Sequence, residues 1–222
     1  MEERYLRNLG ALTRQEILAL REKTVFIAGC GGLGGYLLEY LLRLGVGHIR
    51  AADGDCFEPS NLNRQLLSSP ALLGTQKAEA AMARAAEVNP EADVRVWPMY
   101  LTRENAAQLL AGCDAALDGL DNPEARRVLS EACSASGIPL IHGAIHGWTA
   151  QAGVSTPCDG LMDRLYADSA DGDKASLAFT PPFCAAVQTA LCVRLLTGRP
   201  IESGTVYYMD LLNMEWESLR LE

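Results

Sequence analysis

The order of the elements in the sequence predicts an α/β fold, in which a mostly parallel, doubly wound sheet carries helices on both faces. Short apolar strand patterns alternate with helical patterns along the chain, which is typical of a parallel sheet covered on both sides. A glycine-rich turn joins the first strand to the first long helix. Polar and apolar residues alternate on either side of Leu212-Asn213 within residues 205–221, which predicts a closing antiparallel hairpin.

The individual elements follow from local signals, and no repeat or low-complexity linker divides them, so we expect one domain over residues 1–222. A capping box from Thr13 to Glu16 opens a helix within an N-terminal helical arm, residues 1–22. The predicted strands are residues 24–28, 48–53, 93–98, 114–119, 138–142 and 151–155. The predicted helices are residues 13–21, 36–44, 76–88, 103–111, 123–136 and 179–196. The predicted long connections are residues 54–70 and an acidic crossover loop, residues 156–174.

Composition excludes several classes of protein. The 222 residues are 49% hydrophobic and carry a net charge of −9, so the chain lacks the basic footprint of a nucleic-acid binder. Its seven cysteines are widely spaced without a CxxC pair, which fits the reducing cytoplasm. The charged N-terminus has no signal-peptide core. Residues 175–193 are uncharged but contain Pro181-Pro182, which favours a buried helix over a membrane span.

The sequence GCGGLG at residues 29–34 fits the phosphate-binding pattern G-x-G-x-x-G, and its position between a strand and a helix strengthens that interpretation. Gly29 permits the tight turn, Gly31 lets a phosphate approach the backbone, and Gly34 lets helix and strand pack closely. Asp53 ends the next strand, where a carboxylate would accept hydrogen bonds from ribose hydroxyls. These features suit a nicotinamide dehydrogenase as well as an ATP-using enzyme.

Cations beyond the glycine turn favour a triphosphate, because the β and γ phosphates project past the end of the helix. Arg64 offers a planar fork and Lys77 a point charge. Asp121-Asn122 follow the fourth strand, where open α/β sheets bind ligands, and Asp121 could hold Mg²⁺ with phosphate oxygens. From spacing alone, Asp121 could equally cap the helix that begins at Pro123.

The chain resembles the MoeB/ThiF/HesA superfamily, the bacterial relatives of ubiquitin-activating enzymes, over nearly its whole length. SNLNRQL and GTQK are much more specific to that family than the glycine turn. The matching segments are RYLR (4–7), GCGGLG (29–34), GVG (45–47), DGD (53–55), SNLNRQL (60–66), GTQK (74–77), VNP (88–90), DGLDN (118–122), GIPLIHGA (137–144) and LLTG (195–198).

The resemblance implies a Rossmann-like fold and an adenylyltransferase that uses Mg-ATP to activate the C-terminal glycine carboxylate of a ubiquitin-like sulfur-carrier protein. It also implies a cytoplasmic homodimer in which Arg7 acts in trans as an arginine finger on the partner's triphosphate. The implied site residues are Gly29, Gly31, Gly32 and Gly34 around the α-phosphate, Asp53 at the ribose, Asn61, Arg64 and Lys77 at the phosphates, Asp121 at Mg²⁺, and Asp55 and Asn122 beside them.

The sequence departs from the family pattern in two places. Many relatives carry two CxxC pairs that bind zinc, whereas here a single Cys158 holds the place of the first pair, so we expect no zinc. Some relatives also use a cysteine in the loop before the last helix, and residues 168–179 contain none. Cys158 and Cys184 are the nearest thiols, and we expect neither to react. The acidic loop could cross over the carrier's tail, order on binding, or be a disordered surface.

Three other functions stay open at this level. The acceptor could be a small molecule, a peptide or a tRNA base, as in other branches of the superfamily. The chain could be a non-catalytic nucleotide-binding dimer that serves as a docking partner. A nicotinamide oxidoreductase is the remaining rival, and it has no use for Arg64.

Overall fold

One eight-stranded sheet forms the centre of the molecule, in a computed structural model that describes residues 3–157, 159–166 and 175–221. The strand order is β3-β2-β1-β4-β5-β6-β7-β8, with parallel pairing from β3 to β5 and antiparallel pairing from β5 to β8. The strands are β1 (Thr24–Ala28), β2 (His48–Ala52), β3 (Asp93–Trp97), β4 (Ala115–Asp118), β5 (Leu140–His146), β6 (Thr149–Ser155), β7 (Thr205–Asp210) and β8 (Glu215–Arg220). The predicted fold class is confirmed, including the C-terminal hairpin.

Helices cover both faces of this sheet and bury a separate apolar cluster on each side. One cluster joins α2 and α7 to the sheet through side chains such as Leu37 and Leu191, and the other joins α4, α5 and α6 through Leu110, Leu129 and Met162. The helices are α1 (Arg14–Arg21), α2 (Gly32–Leu44), α3 (Lys77–Val88), α4 (Ala106–Leu110), α5 (Pro123–Ser136), α6 (Leu161–Tyr166) and α7 (Thr180–Leu196).

Several element boundaries differ from the sequence-based expectation. The strand expected over residues 138–142 is β5, Leu140–His146, and the one expected over residues 151–155 begins at Thr149. The helix after the glycine turn begins at Gly32 and not at residue 36, because Gly32, Gly34 and Gly35 are themselves helical. The helix expected over residues 103–111 covers only Ala106–Leu110, since Asn105 binds the backbone N–H of Thr102 and closes a turn there. Within the expected loop 156–174, residues 161–166 form α6; residues 158 and 167–174 lie outside the described part of the chain.

The N-terminal arm is held against the body of the molecule. The capping box at the start of α1 is present as expected, with Thr13 and Glu16 exchanging side-chain and backbone hydrogen bonds. Before it, the 3₁₀ turn Glu3–Asn8 buries Tyr5, whose hydroxyl accepts a hydrogen bond from the Asn89 side chain. A buried anchor thus fixes the turn that carries Arg7.

The uncharged segment near the C-terminus forms part of α7, which packs against α2, β5 and β6. Its buried polar residues include Gln188, which donates a hydrogen bond to the backbone oxygen of Asp118. No helix in the described part of the chain is long and apolar enough to cross a membrane.

The strand order reverses its direction between β1 and β4. In open α/β sheets, ligands bind in the crevice at the carboxyl ends of the strands at such a switch point. The turns that follow β1, β2 and β4 therefore meet at one edge of the sheet, and the candidate site lies there.

Candidate functional site

A cavity of about 400 Å³ opens at the carboxyl ends of β1, β2 and β4. Ligand pockets in proteins commonly have volumes in this range. Its walls contain most of the residues that the sequence singled out for nucleotide binding. Those residues are Gly29, Gly31, Gly32, Asp53, Asp55, Arg64, Lys77, Asp121 and Asn122.

The glycine turn forms the floor of the cavity. Gly29 has a φ of +87°, and a Cβ placed on Gly34 would lie 1.8 Å from the Gly29 carbonyl oxygen. Gly34 therefore lies behind the cavity and permits the close helix–strand contact that we expected of it. No side chain caps the N-terminus of α2 at Gly31, so the first N–H groups of this helix are available to an anion.

Asp53 connects the glycine turn to the end of β2. One of its carboxylate oxygens accepts a hydrogen bond from the Cys30 N–H at 2.7 Å, and the other accepts one from the Asp55 N–H at 2.8 Å. Burial raises the pKa of Asp53, whereas the charge of Lys77 and the two N–H groups act in the opposite direction. The carboxylate thus holds the turn in shape and still lines the cavity.

Lys77 lies at the start of α3 with its side chain almost fully buried. Its ammonium group forms an ion pair with Asp55 at 2.8 Å. The other oxygen of Asp55 accepts a hydrogen bond from the Tyr100 hydroxyl at 2.7 Å. Gly54 makes room for the Tyr100 ring, since a Cβ there would lie 2.8 Å from it. Asp55 therefore positions a lysine on one side and an aromatic ring on the other.

Arg64 and Asn61 lie in the same loop but differ in their access to the cavity. The Arg64 guanidinium donates hydrogen bonds to the Ser60 backbone oxygen and the Asn63 side chain, and it lines the cavity beside Gly32. Asn61 is buried, and its side-chain oxygen accepts the Glu58 N–H within the turn. Asn61 is not among the residues of the described chain that line the cavity. Its side chain instead stabilises the loop that contains Arg64.

At the end of β4, the structure resolves which residue caps the following helix. Asn122 is the N-cap of α5, and its side-chain oxygen accepts the Ala125 N–H at 2.8 Å. Asp121 is exposed and lines the cavity. The capping role considered for Asp121 therefore belongs to Asn122, and Asp121 is left on the cavity wall.

Behind this rim lies a buried polar network that the sequence did not indicate. The fully buried Asp118 carboxylate accepts hydrogen bonds from Arg126 at 3.1 Å and from His142 at 2.8 Å. Burial alone would raise the pKa of Asp118, but the charge of Arg126 and the hydrogen bond from His142 outweigh it and lower the pKa. Burial lowers the pKa of His142, which favours the neutral ring. Tyr166 and Gln151 complete the network at the other ring nitrogen.

The cysteines near the site are in unreactive surroundings. Burial raises the pKa of Cys184 to about 12 and also raises the pKa of Cys30, so neither forms a thiolate near neutral pH. Cys158 lies outside the described residues. In the chain as described, no group of three or more His, Cys, Asp or Glu side chains could hold a metal ion. The expected lack of zinc stays a prediction.

The cavity wall also contains side chains that the sequence did not single out. Four of them, Gln65, Tyr100, Arg126 and Tyr166, have polar or aromatic groups that could contact a ligand. Gln65 had a usable signal, since it ends the SNLNRQ segment directly after Arg64. The other three come from segments far apart in the chain, and only folding brings them together.

Known proteins share this architecture and sequence pattern. The SAMP-activating enzyme E1 of Haloferax volcanii is 30% identical over 209 residues, which are 90% of this chain and 77% of that protein. The sulfur carrier protein ThiS adenylyltransferase of Bacillus subtilis is 35% identical over 211 residues, covering 87% of this chain and 62% of that one. The crystal structure of Escherichia coli MccB with ATP shares the fold, with a TM-score of 0.85, 21% identity and coverage of 99% of this chain and 72% of that chain. A model of the ThiF family matches residues 5–222, and the chain belongs to that family.

Proposed function

We propose that the protein is an adenylyltransferase that uses Mg-ATP to activate the C-terminal glycine carboxylate of a ubiquitin-like sulfur-carrier protein. The observation that carries this proposal is the cavity itself, in which an uncapped glycine-rich helix N-terminus is combined with Arg64, Lys77 and Asp121. The similarity to the sulfur carrier protein ThiS adenylyltransferase of Bacillus subtilis supports the choice of acceptor.

The reaction needs charge neutralisation more than it needs a base. A C-terminal carboxylate is already ionised near pH 7. One of its oxygens forms a bond to the α-phosphorus, while the bond from that phosphorus to the bridging oxygen breaks and pyrophosphate leaves. The N–H groups at the start of α2 hold the α-phosphate, and Arg64 and Lys77 stabilise the charge that moves onto the pyrophosphate.

The cavity also suits magnesium. Mg²⁺ is usually held by one or two carboxylates together with substrate phosphates and water, and not by a closed protein cage. Asp121 is an exposed carboxylate on the cavity rim, which fits this coordination. When bound, Mg²⁺ supplies further neutralisation of the phosphate charge.

A homodimer is part of the proposal, with Arg7 acting on the partner's site. Arg7 is exposed on the 3₁₀ turn Glu3–Asn8 and does not line the cavity of its own chain. Its turn is nevertheless anchored by the buried Tyr5. An exposed arginine on an anchored turn is suited to a neighbouring site across a two-fold interface.

We also place the protein in the cytoplasm. The six cysteines of the described chain are free, and free thiols persist where glutathione and thioredoxin keep them reduced.

The experiment that tests the proposal is ATP–pyrophosphate exchange in the presence of Mg²⁺, with a panel of small carrier proteins ending in Gly-Gly. We expect exchange with one carrier and none with the same carrier lacking its terminal glycine. If exchange instead requires a peptide or a small carboxylic acid, that molecule would be the acceptor in place of the carrier protein. ATP binding with no exchange for any acceptor would contradict the proposed activity and favour a docking role.

A further inference from the structure

Gln65 is a buried amide that lines the cavity without a protein partner. The residue is only 7% exposed, and its buried Oε1 accepts no hydrogen bond although it belongs to a cavity-lining side chain. Ser176 lines the same cavity, and its buried Oγ also lacks a partner within the described chain. Buried polar groups in proteins are nearly always paired, so unpaired groups that share one cavity indicate an absent polar ligand.

The position of Gln65 indicates which part of the ligand it meets. A Cβ placed on Gly31 would lie 3.5 Å from Gln65 Nε2, so the amide lies against the second glycine of the turn. The Arg64 Nε lies 3.9 Å from the corresponding position on Gly32. Neighbouring side chains thus cover consecutive glycines, and the second glycine is where a phosphate approaches the backbone.

The backbone around Gln65 is fixed, which gives the amide a defined place. The Gln65 N–H donates to the Asn61 carbonyl oxygen at 3.0 Å, and the Gln65 carbonyl oxygen accepts from the Ser68 N–H at 3.0 Å. A group held in this way loses little further freedom when it binds a ligand.

The two amide atoms of Gln65 lie 3.5 Å (Nε2) and 4.0 Å (Oε1) from a Cβ placed on Gly31, so a half-turn of the amide puts its NH2 group where the unpaired Oε1 lies. We propose that Gln65 binds the α-phosphoryl group in this way, with the amide NH2 donating a hydrogen bond to a non-bridging oxygen held at Gly31. This rests on the proposed function. The neutral amide adds a donor where the acceptor carboxylate attacks, without adding a charge that would trap the departing pyrophosphate. The donor stays in place as the bond to the acceptor oxygen forms and the bond to pyrophosphate breaks.

The first test compares Gln65→Met with the wild type. Methionine keeps the length of the side chain and removes the donor, so exchange should fall about ten- to a hundredfold. The apparent KM for the carrier should not change, because the contact is to the nucleotide. Gln15→Met is the matched control, since Gln15 is exposed on α1, and it should behave like the wild type.

The second test separates a phosphate contact from a merely structural role. In Gln65→Glu, an ionised carboxylate repels phosphate, whereas a protonated one donates a hydrogen bond as the amide does. The ratio of Gln65→Glu exchange to Gln65→Met exchange should therefore rise as the pH falls. The charged cavity groups common to both variants, which cancel in this ratio, are Arg64, Lys77, Asp53, Asp55, Asp121 and Arg126. A ratio that does not change with pH would overturn the proposal.

A binding measurement keeps this inference independent of the acceptor. Calorimetry should show that Gln65→Met weakens ATP about three- to tenfold, the value of one hydrogen bond, and leaves adenosine affinity unchanged. Equal losses for ATP and adenosine, or no loss for ATP, would overturn the inference. The wild type could bind ATP and yet show no pyrophosphate exchange with any acceptor tested, in which case the proposed function fails. A selective loss of ATP affinity in Gln65→Met would then still support the contact between Gln65 and the phosphate.

Discussion

Asp118 and Asp121 lie close together at the end of β4, but their carboxylates have opposite surroundings. Asp118 is fully buried and pairs with Arg126 and His142. Asp121 is exposed and lines the cavity. Both residues fall in the DGLDN segment, and sequence patterns assigned a role to Asp121 alone.

The difference separates residues that build the site from residues that act in it. A buried carboxylate is stable only with its partners in place, so its removal should harm the fold. An exposed carboxylate on a cavity rim contributes little to the fold and is available to a ligand.

Asp118→Asn should destabilise the protein strongly. The substitution leaves the Arg126 charge buried and unpaired, and breaking a buried pair costs about 3–5 kcal/mol. Urea unfolding followed by circular dichroism measures the loss. Asp114→Asn is the control, because Asp114 pairs with Lys23 where both are part-exposed, and surface pairs contribute about 0–1 kcal/mol. Equal effects of the two substitutions would contradict the structural role of Asp118.

Asp121→Asn should reduce activity and leave the stability of the protein unchanged. We expect ATP–pyrophosphate exchange to fall about a hundredfold or more, the usual cost of losing one group that stabilises transition-state charge. Thermal unfolding should remain within a degree or so of the wild type, as for most surface substitutions. Glu124→Gln, an exposed site in the first turn of α5, should leave both properties unchanged. Unaltered exchange in Asp121→Asn would remove Asp121 from the mechanism.

The buried network should also make stability fall in acid. Burial lowers the pKa of His142 in the folded state, and the pKa of Asp118 is lowered too, because its partners outweigh burial. The unfolded chain then binds more protons, so this stability is present above about pH 6.5 and is lost as the pH falls through the folded pKa values.

Urea midpoints at about pH 7.5 and about pH 5.5 measure this effect on either side of the reference pKa of histidine. The midpoint should drop less between these pH values in His142→Gln than in the wild type. The control is His48→Gln, at a part-exposed position on β2. A wild-type slope that His142→Gln leaves unaltered would exclude His142 as a source of acid sensitivity.

Mixing two variants tests whether Arg7 acts in the site that contains Asp121 of its own chain or in the site of the partner subunit. Arg7→Ala and Asp121→Asn should each be inactive in exchange. If Arg7 acts in trans, a mixed dimer has one intact site, so an equal mixture should recover about a quarter of wild-type activity. No recovery after subunit exchange is confirmed by native mass spectrometry would place Arg7 in cis or outside the site.

Local patterns predicted the parts of the molecule that depend on neighbouring residues. The Thr13 capping box, the glycine turn at 29–34 and the β7–β8 hairpin all follow from such patterns, and all are present. The Asp118–His142 pair could not be found in this way, because the two residues come from different strands and meet only in the sheet. The same holds for Tyr100, which reaches Asp55 from after β3.

Adenylation can be observed directly in the intact mass of the carrier protein after incubation with enzyme and Mg-ATP. We expect the carrier to gain one AMP group at its terminal glycine, and to gain none with Asp121→Asn or when that glycine is missing. A carrier of unchanged mass, although the enzyme binds both ATP and carrier, would contradict adenylation as the function of this cavity.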